Sequence, residues 1–217
     1  MRIGTKTVLY GYHCFFIHPW FVLAAWIKLY GFPWDPRLWV AFFVHDLGYF
    51  GKVNIDGAEG ETHVEFGAEL MHLLFDRYET SIREQPVSIG IPIGLQGGES
   101  ICDLDYSSGW PVVFVYCNKM STKWRDLCLF HSRFYAEKKE QPVSKLCIAD
   151  KYAFALTPRW LTLLLTKATG EIWEYMARAR SGKYSVYAIG TNNAKEWHKD
   201  VKSYMSVWIE ENKSLCK

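Results

Sequence analysis

Apolar residues recur at helical spacing along most of the chain, and short polar or glycine-containing breaks separate these segments. Such a pattern is typical of amphipathic helices that bury one face. The first segment covers residues 19–30 and stops at Gly31-Phe32-Pro33. Asp35-Pro36 then opens a second helix that carries residues 38–47, since proline is favoured in the first helical turn. The pattern predicts an all-α fold.

Further helices are predicted by the same periodicity and by capping signals. Thr62 with Glu65 predicts a capping box at the start of a third helix. Thr157-Pro158 predicts the start of a long helix, and Asn193 with Glu196 predicts the start of the last one. The remaining predicted segments are residues 121–137, residues 143–156 and the continuation of the long helix to residue 180.

Residues 83–118 depart from this helical pattern. The stretch is rich in glycine and proline and contains a strand-like run at residues 111–116. It is predicted to be an insertion within a single domain of residues 1–217, either a β-hairpin over the functional site or a disordered loop. Residues 48–60 are also rich in glycine and are predicted to form an active-site loop.

Composition limits the class of protein. Hydrophobic residues make up 49% of the 217 residues, which is enough for an independent core. The net charge of +2 argues against binding nucleic acid through broad electrostatics, and no DNA partner is expected.

Two further features bear on the expected compartment. Residues 7–27 lack charged side chains and approach the length of a membrane span, but His13, His18 and Pro19 interrupt them. A buried core segment is therefore expected, with no membrane partner. The six cysteines show no CxxC spacing, so reduced thiols and a cytoplasmic location are expected.

The candidate chemistry centres on the adjacent pair His45-Asp46 at the end of an apolar segment. A buried imidazole and carboxylate are costly unless something binds them. A divalent metal takes both nitrogen and oxygen ligands and so accounts for the pair. His13 competes with His18 for a ligand role. In chain order the candidate metal ligands are His18, His45, Asp46, His63, His131 and Asp150.

These residues and their local context resemble the HD-domain superfamily of metal-dependent phosphohydrolases. Besides the His-Asp pair, two sequence motifs carry the resemblance. They are His63-x-x-x-Gly67-Ala68-Glu69-Leu70 and Ala149-Asp150-Lys151. The resemblance covers residues 12–160 apart from residues 83–118. It implies an HD-domain-like helical bundle. It also implies that His18, His45, Asp46 and Asp150 bind one metal, and that His63 and His131 are the additional ligands of a two-metal site.

The resemblance further implies hydrolysis of a phosphate ester, with a nucleotide as the expected small phosphorylated substrate. One or two divalent ions are expected, with Fe or Mn favoured and Zn, Co, Ni or Mg also suitable. Asp46 is the expected bridge between two ions and a catalytic residue. Arg133 and Lys151 are candidate catalytic and substrate-binding residues, and Lys52 is a third candidate for phosphate binding. A solvated charge is the alternative role for all three, and a homo-oligomer is left open.

Two other functions compete with hydrolysis. The same ligands would serve a dinuclear iron oxygenase. A binding module without turnover is the third alternative, although a complete ligand set argues against it. The chain has no P-loop, GxSxG or dinucleotide-binding motif.

Three residues outside the ligand set also have expected positions. His72 is expected to point away from His63, because nine residues turn it to another helix face. His198 is expected to be exposed on a charged helix. Arg178 is expected to offset a helix dipole.

Overall fold

Helices form the body of the protein in the computed structural model, which describes residues 1–76, 78–86, 99–105, 112–181 and 189–213. A helical class is thereby confirmed for this body, whereas the HD-like arrangement stays a prediction. The helices are α1 (Ile3–Tyr10), α2 (His18–Tyr30), α3 (Pro36–Val44), α4 (His63–Phe75), α5 (Lys123–Leu129), α6 (Arg133–Lys138), α7 (Lys145–Leu156), α8 (Arg159–Thr169), α9 (Glu171–Arg180) and α10 (Ala194–Asn212).

The main core lies between α2, α3, α4, α5 and α7. Helix α2 packs along α7, and α4 packs along α5. Burial of each large apolar side chain stabilises this arrangement by about 1.5–3 kcal/mol. The packed faces include Val22 and Trp26 of α2, Met71 of α4 and Leu146 of α7.

A second apolar cluster joins α8, α9 and α10. Its buried members include Ile172, Met176 and Trp197. Because α10 also packs against α7, this cluster adjoins the main core along one side of α7. The short helix α1 was not predicted from the sequence; it packs against α8 and against a 3₁₀ turn at Leu47–Tyr49.

Three strands lie between α4 and α5, where the sequence predicted a hairpin or a disordered loop, and they extend beyond the predicted bounds of residues 83–118 at both ends. They are β1 (Tyr78–Pro86), β2 (Glu99–Asp105) and β3 (Val112–Met120). Strand β3 lies between the other two and is antiparallel to both. Strand β2 has a register irregularity between Ile101 and Asp103.

Several predicted helix ends agree with the structure. Asp35 caps α3 by accepting a hydrogen bond from the Arg37 amide at 3.0 Å. Asn193 caps α10 by accepting from the amides of Lys195 and Glu196 at 3.1 and 2.9 Å. These caps depend only on neighbours in sequence, which is why the sequence predicts them.

Other predicted caps and boundaries differ from the structure. Helix α4 begins directly after Thr62, as predicted, but the Thr62 hydroxyl makes no capping hydrogen bond and donates instead to the Glu59 carbonyl. The segment 121–137 is two helices, α5 and α6, with His131 between them. The long helix ends at Gly170, whose φ of 92° is left-handed, and α9 begins after it. The Thr157 hydroxyl donates backward to Ala153 and does not cap α8.

Among the described residues, no helix combines the length and apolar character that a membrane crossing requires.

Candidate metal centre

Six buried side chains meet where α2, α4 and α7 approach the turn after α3. Each comes from a helix or a helix end, so its backbone is held by the surrounding packing. His18 and His63 are the first residues of α2 and α4, and His45-Asp46 directly follows α3. The remaining two are His131, between α5 and α6, and Asp150, in the middle of α7.

The six side chains form two groups that share Asp46. In each group the ligand atoms lie within 4.8 Å of one another. Asp46 Oδ2 lies 3.3 Å from His18 Nε2 and 3.1 Å from His45 Nε2. Asp46 Oδ1 lies 3.3 Å from His131 Nε2 and 3.6 Å from His63 Nε2. The two carboxylate oxygens therefore face two different sets of ligands.

Asp150 completes the first group. Its Oδ1 lies 3.0 Å from His18 Nε2. In the second group, the Nε2 atoms of His63 and His131 lie 3.2 Å apart. The first group offers two histidines and two carboxylates, and the second offers two histidines and one carboxylate.

Three of these histidines are oriented by the same contact. In each, Nδ1 donates to the backbone carbonyl three residues earlier, which leaves the Nε2 lone pair for the centre. This outer hydrogen bond fixes both the ring orientation and the tautomer. The pairs are His45 with Phe42 at 3.0 Å, His63 with Gly60 at 2.7 Å and His131 with Cys128 at 2.5 Å.

The donor set fits a divalent metal. Within the described part of the chain, His45 Nε2 and Asp46 Oδ2 are buried and have no hydrogen-bond partner. Such atoms are expensive to bury unless they are satisfied by a ligand. Imidazole nitrogen with carboxylate oxygen is the combination that Fe, Mn and Zn accept. The residues present can therefore hold a metal ion, with Asp46 as the shared ligand.

Electrostatics keep both carboxylates of the centre ionised. Burial alone would raise the pKa of Asp46, but His45, His13 and hydrogen bonding from His131 outweigh it and hold this pKa well below 3.8. Burial acts in the same direction on Asp150, where Lys151 and His18 lower the pKa well below 3.8.

The histidines respond to burial in two ways. Burial and the neighbouring His131 lower the pKa of His63 well below 6.5, so its ring is neutral near pH 7. Burial also acts to lower the pKa of His45, but the Asp46 carboxylate reverses this effect and raises it. A metal ion and a proton therefore compete for the His45 ring.

Two glycines let α4 come close to the His45-Asp46 turn. A Cβ on Gly67 would lie 2.8 Å from the Val44 carbonyl oxygen, and one on Gly48 would lie 1.9 Å from the His63 carbonyl oxygen. The sequence motif around Gly67 thus has a steric reason. Tyr49, which was not predicted, stacks on the His63 ring with centroids 3.9 Å apart and planes within 7°.

A cavity opens beside the two ligand groups. Its polar part, about 350 Å³ in volume, is lined by Asp46, His63 and His131, together with Arg133 and Lys151. Two of the three predicted phosphate-binding residues are thus brought to the centre.

Both cations at this cavity have neighbours that hold them in place. Lys151 Nζ donates to Asp150 Oδ2 at 2.6 Å. Burial alone would lower the pKa of Lys151, but Asp150 outweighs it and raises this pKa, so the ammonium stays charged. The Arg133 guanidinium donates to the Tyr204 hydroxyl at 2.6 Å.

Lys52 is placed elsewhere. Its ammonium donates to the Thr62 hydroxyl at 2.5 Å. It lines a separate depression with Leu47, Phe50 and Phe66. The structure does not bring it to the ligand groups.

The other histidines lie outside both ligand groups. His13 Nδ1 is 3.1 Å from the Thr7 hydroxyl oxygen, and its ring lines the cavity without joining either group. His72 pairs with Asp76 at 3.1 Å, away from the centre as expected. The expected exposure of His198 is wrong: its side chain is buried because α10 packs against α7, where the ring meets Phe154.

Arg178 does more than face a helix dipole. Its guanidinium donates to Glu61 at 2.9 Å, lies 3.4 Å from an Asp56 carboxylate oxygen and lines the polar part of the cavity. It therefore ties α9 to the loop that leads into His63. More than a hundred residues separate these partners along the chain, so no local pattern could indicate the contact.

Comparison of the chain with protein-family models, curated proteins and solved structures finds no match.

Proposed function

We propose that this chain is a metal-dependent phosphohydrolase that acts on a phosphate ester, with nucleotides as the first class to test. The observation that carries the proposal is the sharing of Asp46 between two buried ligand groups. A carboxylate in this position suits two ions that act on one phosphate. The cations Arg133 and Lys151 line the same cavity and supply the charge that a phosphate needs.

Each part of the site has a role in this proposal. Metal ions at the two groups would supply an activated hydroxide and stabilise the charge that develops on the phosphate. His18, His45 and Asp150 would hold one side of the centre, and His63 and His131 the other. The Arg133 guanidinium would bind phosphate oxygens in a bidentate manner, and Lys151 would contribute a charge beside Asp150.

A specific observation favours a second candidate, a dinuclear iron oxygenase. The group of Asp46, His63 and His131 consists of two histidines and one carboxylate. Non-haem Fe(II) oxygenases hold a single iron with that ligand combination, so an iron in this group would be able to react with oxygen. The two candidates differ in whether oxygen is consumed.

The deciding experiment measures metal content and then two activities of the metal-loaded protein. We expect about two ions per chain. We also expect the protein to release phosphate from nucleoside monophosphates when oxygen is absent from the assay. Asp46→Asn is expected to lose both the metals and the activity, because the amide loses the negative charge that both groups share. The matched control is Asp126→Asn, since Asp126 lies outside both groups and accepts a hydrogen bond from Thr122 on the surface.

Each outcome separates the candidates. Phosphate release that Asp46→Asn abolishes and Asp126→Asn preserves would support hydrolysis. Oxygen uptake without phosphate release would move the assignment to the oxygenase. Metal binding without either activity would favour a binding module, and full activity in the Asp46→Asn variant would refute the proposed role of this centre.

A further inference from the structure

The cavity beside the ligand groups has a second, apolar part. Tyr49, Arg133 and Lys151 line both parts, so the two adjoin each other. Beyond these shared residues the lining changes character. The residues that line only the second part are nearly all aromatic or aliphatic, among them Phe154, Tyr175, Trp197, Val201 and Met205.

The lining of the apolar part is formed by packed helices. Trp197 and Val201 are buried members of the cluster that joins α8, α9 and α10, and Phe154 of α7 packs against them. The Tyr175 and Trp197 rings are parallel to within 6°, with centroids 5.6 Å apart. Side chains held by a core do not have to be ordered when a ligand binds, which favours affinity.

The volume of the apolar part limits what can enter. It measures about 150 Å³. An engineered apolar cavity of about that volume in another protein binds benzene. One aromatic ring therefore fits within the apolar part.

Two cations lie where the two parts of the cavity meet. Arg133 and Lys151 line both parts together with the carboxylates Asp56 and Asp150, while His63 and His131 line only the polar one. A phosphate at this boundary would contact the cations and face the metal ligands. The rest of the molecule would then extend into the apolar part.

We propose that the substrate is a phosphate ester whose organic part ends in a single ring or an apolar group of similar size. This inference rests on the proposed function and narrows its substrate class. The physical reason is the combination of cations at the boundary with an apolar space for one ring.

The test measures binding of phosphonates, which mimic the phosphate and are not hydrolysed as esters, to the metal-loaded protein by calorimetry. Phenylphosphonate is expected to bind about tenfold more tightly than methylphosphonate, because binding transfers its ring from water into the apolar part of the cavity.

Two variants on the same helix locate the effect. Val201→Phe fills the apolar part and is expected to remove the phenyl preference while leaving methylphosphonate binding within about twofold of the original. Val207→Phe adds the same group at an exposed position of α10 and is expected to change neither value. Met205→Trp is the second filling variant, should Val201→Phe fail to fold.

The outcomes distinguish this inference from the proposed function. Equal binding of methyl- and phenylphosphonate, binding of neither, or a phenyl preference that survives both filling variants would overturn the inference. A phenyl preference that depends on Val201 in a protein that hydrolyses no phosphate ester would support the apolar subsite and reject hydrolysis. Hydrolysis of phosphate esters at rates that do not depend on ring size would support the proposed function and reject the apolar subsite.

Discussion

His45, His63 and His131 show how individual residues of the centre are prepared by their own stretch of chain. Each outer Nδ1 is held by a carbonyl three residues earlier. Because these partners are local, ring orientation depends little on distant packing. His18 differs, since its buried Nδ1 has no hydrogen-bond partner within the described residues. Its position depends instead on the packing of α2 against α7.

His198 leads to a prediction about pH. Burial lowers its pKa from 6.5 to about 4, so the folded protein keeps the ring neutral where the unfolded chain protonates it. The unfolded state therefore binds more protons between these two values, and stability falls as pH falls through this window. In metal-free protein, His198→Leu is expected to reduce the loss of unfolding free energy between pH 7 and pH 5 by about 1 kcal/mol.

Urea unfolding at the two pH values measures this effect. Lys199→Leu is the matched control on the same helix, because a lysine does not titrate in this range. An unchanged pH dependence in the His198 variant would contradict the prediction.

At the scale of elements, the approach of α4 to the turn after α3 determines whether the two ligand groups can share Asp46. His63 begins α4 and His45-Asp46 follows α3, so the group that contains His63 and Asp46 depends on this contact. Gly67 permits it, since a side chain there would meet the backbone of Val44. Backbone cannot move aside as easily as a flexible side chain.

Gly67→Ala is therefore expected to lower the unfolding free energy by about 1–3 kcal/mol and to reduce metal content. Leu73→Ala on the same helix is the control; its side chain is 80% exposed, and a change within about 0.5 kcal/mol is expected. Urea unfolding and elemental analysis give the two readouts. Equal stability of the two variants would show that the close approach is not needed.

Across the whole molecule, polar contacts between α9 and the loop before His63 link the second apolar cluster to the metal centre. Arg178 binds the loop through Asp56 and Glu61, and the Glu174 carboxylate accepts from the Ile55 amide at 2.8 Å. The loop runs directly into His63. We therefore expect packing of α9 to support the ligand group that contains His63.

Replacing Arg178 tests this link. Arg178→Met leaves Asp56 and Glu61 without their cation and is expected to lower the unfolding free energy by about 1–3 kcal/mol. It should also reduce metal content toward one ion per chain, because only the group with His63 depends on the loop. Arg180→Met, at an exposed position of the same helix, is expected to do neither. Full metal content in the Arg178 variant, measured by elemental analysis, would contradict the link.

Four of the six candidate ligands could be predicted from a recognisable neighbourhood in sequence, and His18 and His131 from the order of ligands that the family resemblance implies. The His45-Asp46 pair, the residues after His63 and those around Asp150 are short motifs. Arg178 and Tyr49 could not be found in this way. Arg178 pairs with Glu61 across more than a hundred residues, so no local pattern indicates the contact. Tyr49 is one of many aromatic residues in the chain, so its position beside His63 is not marked in the sequence.

The amino-acid sequence by itself determined the helical periodicity, the caps at Asp35 and Asn193 and the six candidate ligands. These depend on spacing and on neighbours a few residues away. Only the tertiary structure decided that Asp46 faces both ligand groups, that Lys52 lies apart, that His198 is buried and that an apolar space adjoins the centre. The physical reason is that such features arise from contacts between helices distant in sequence, whose geometry no local pattern specifies.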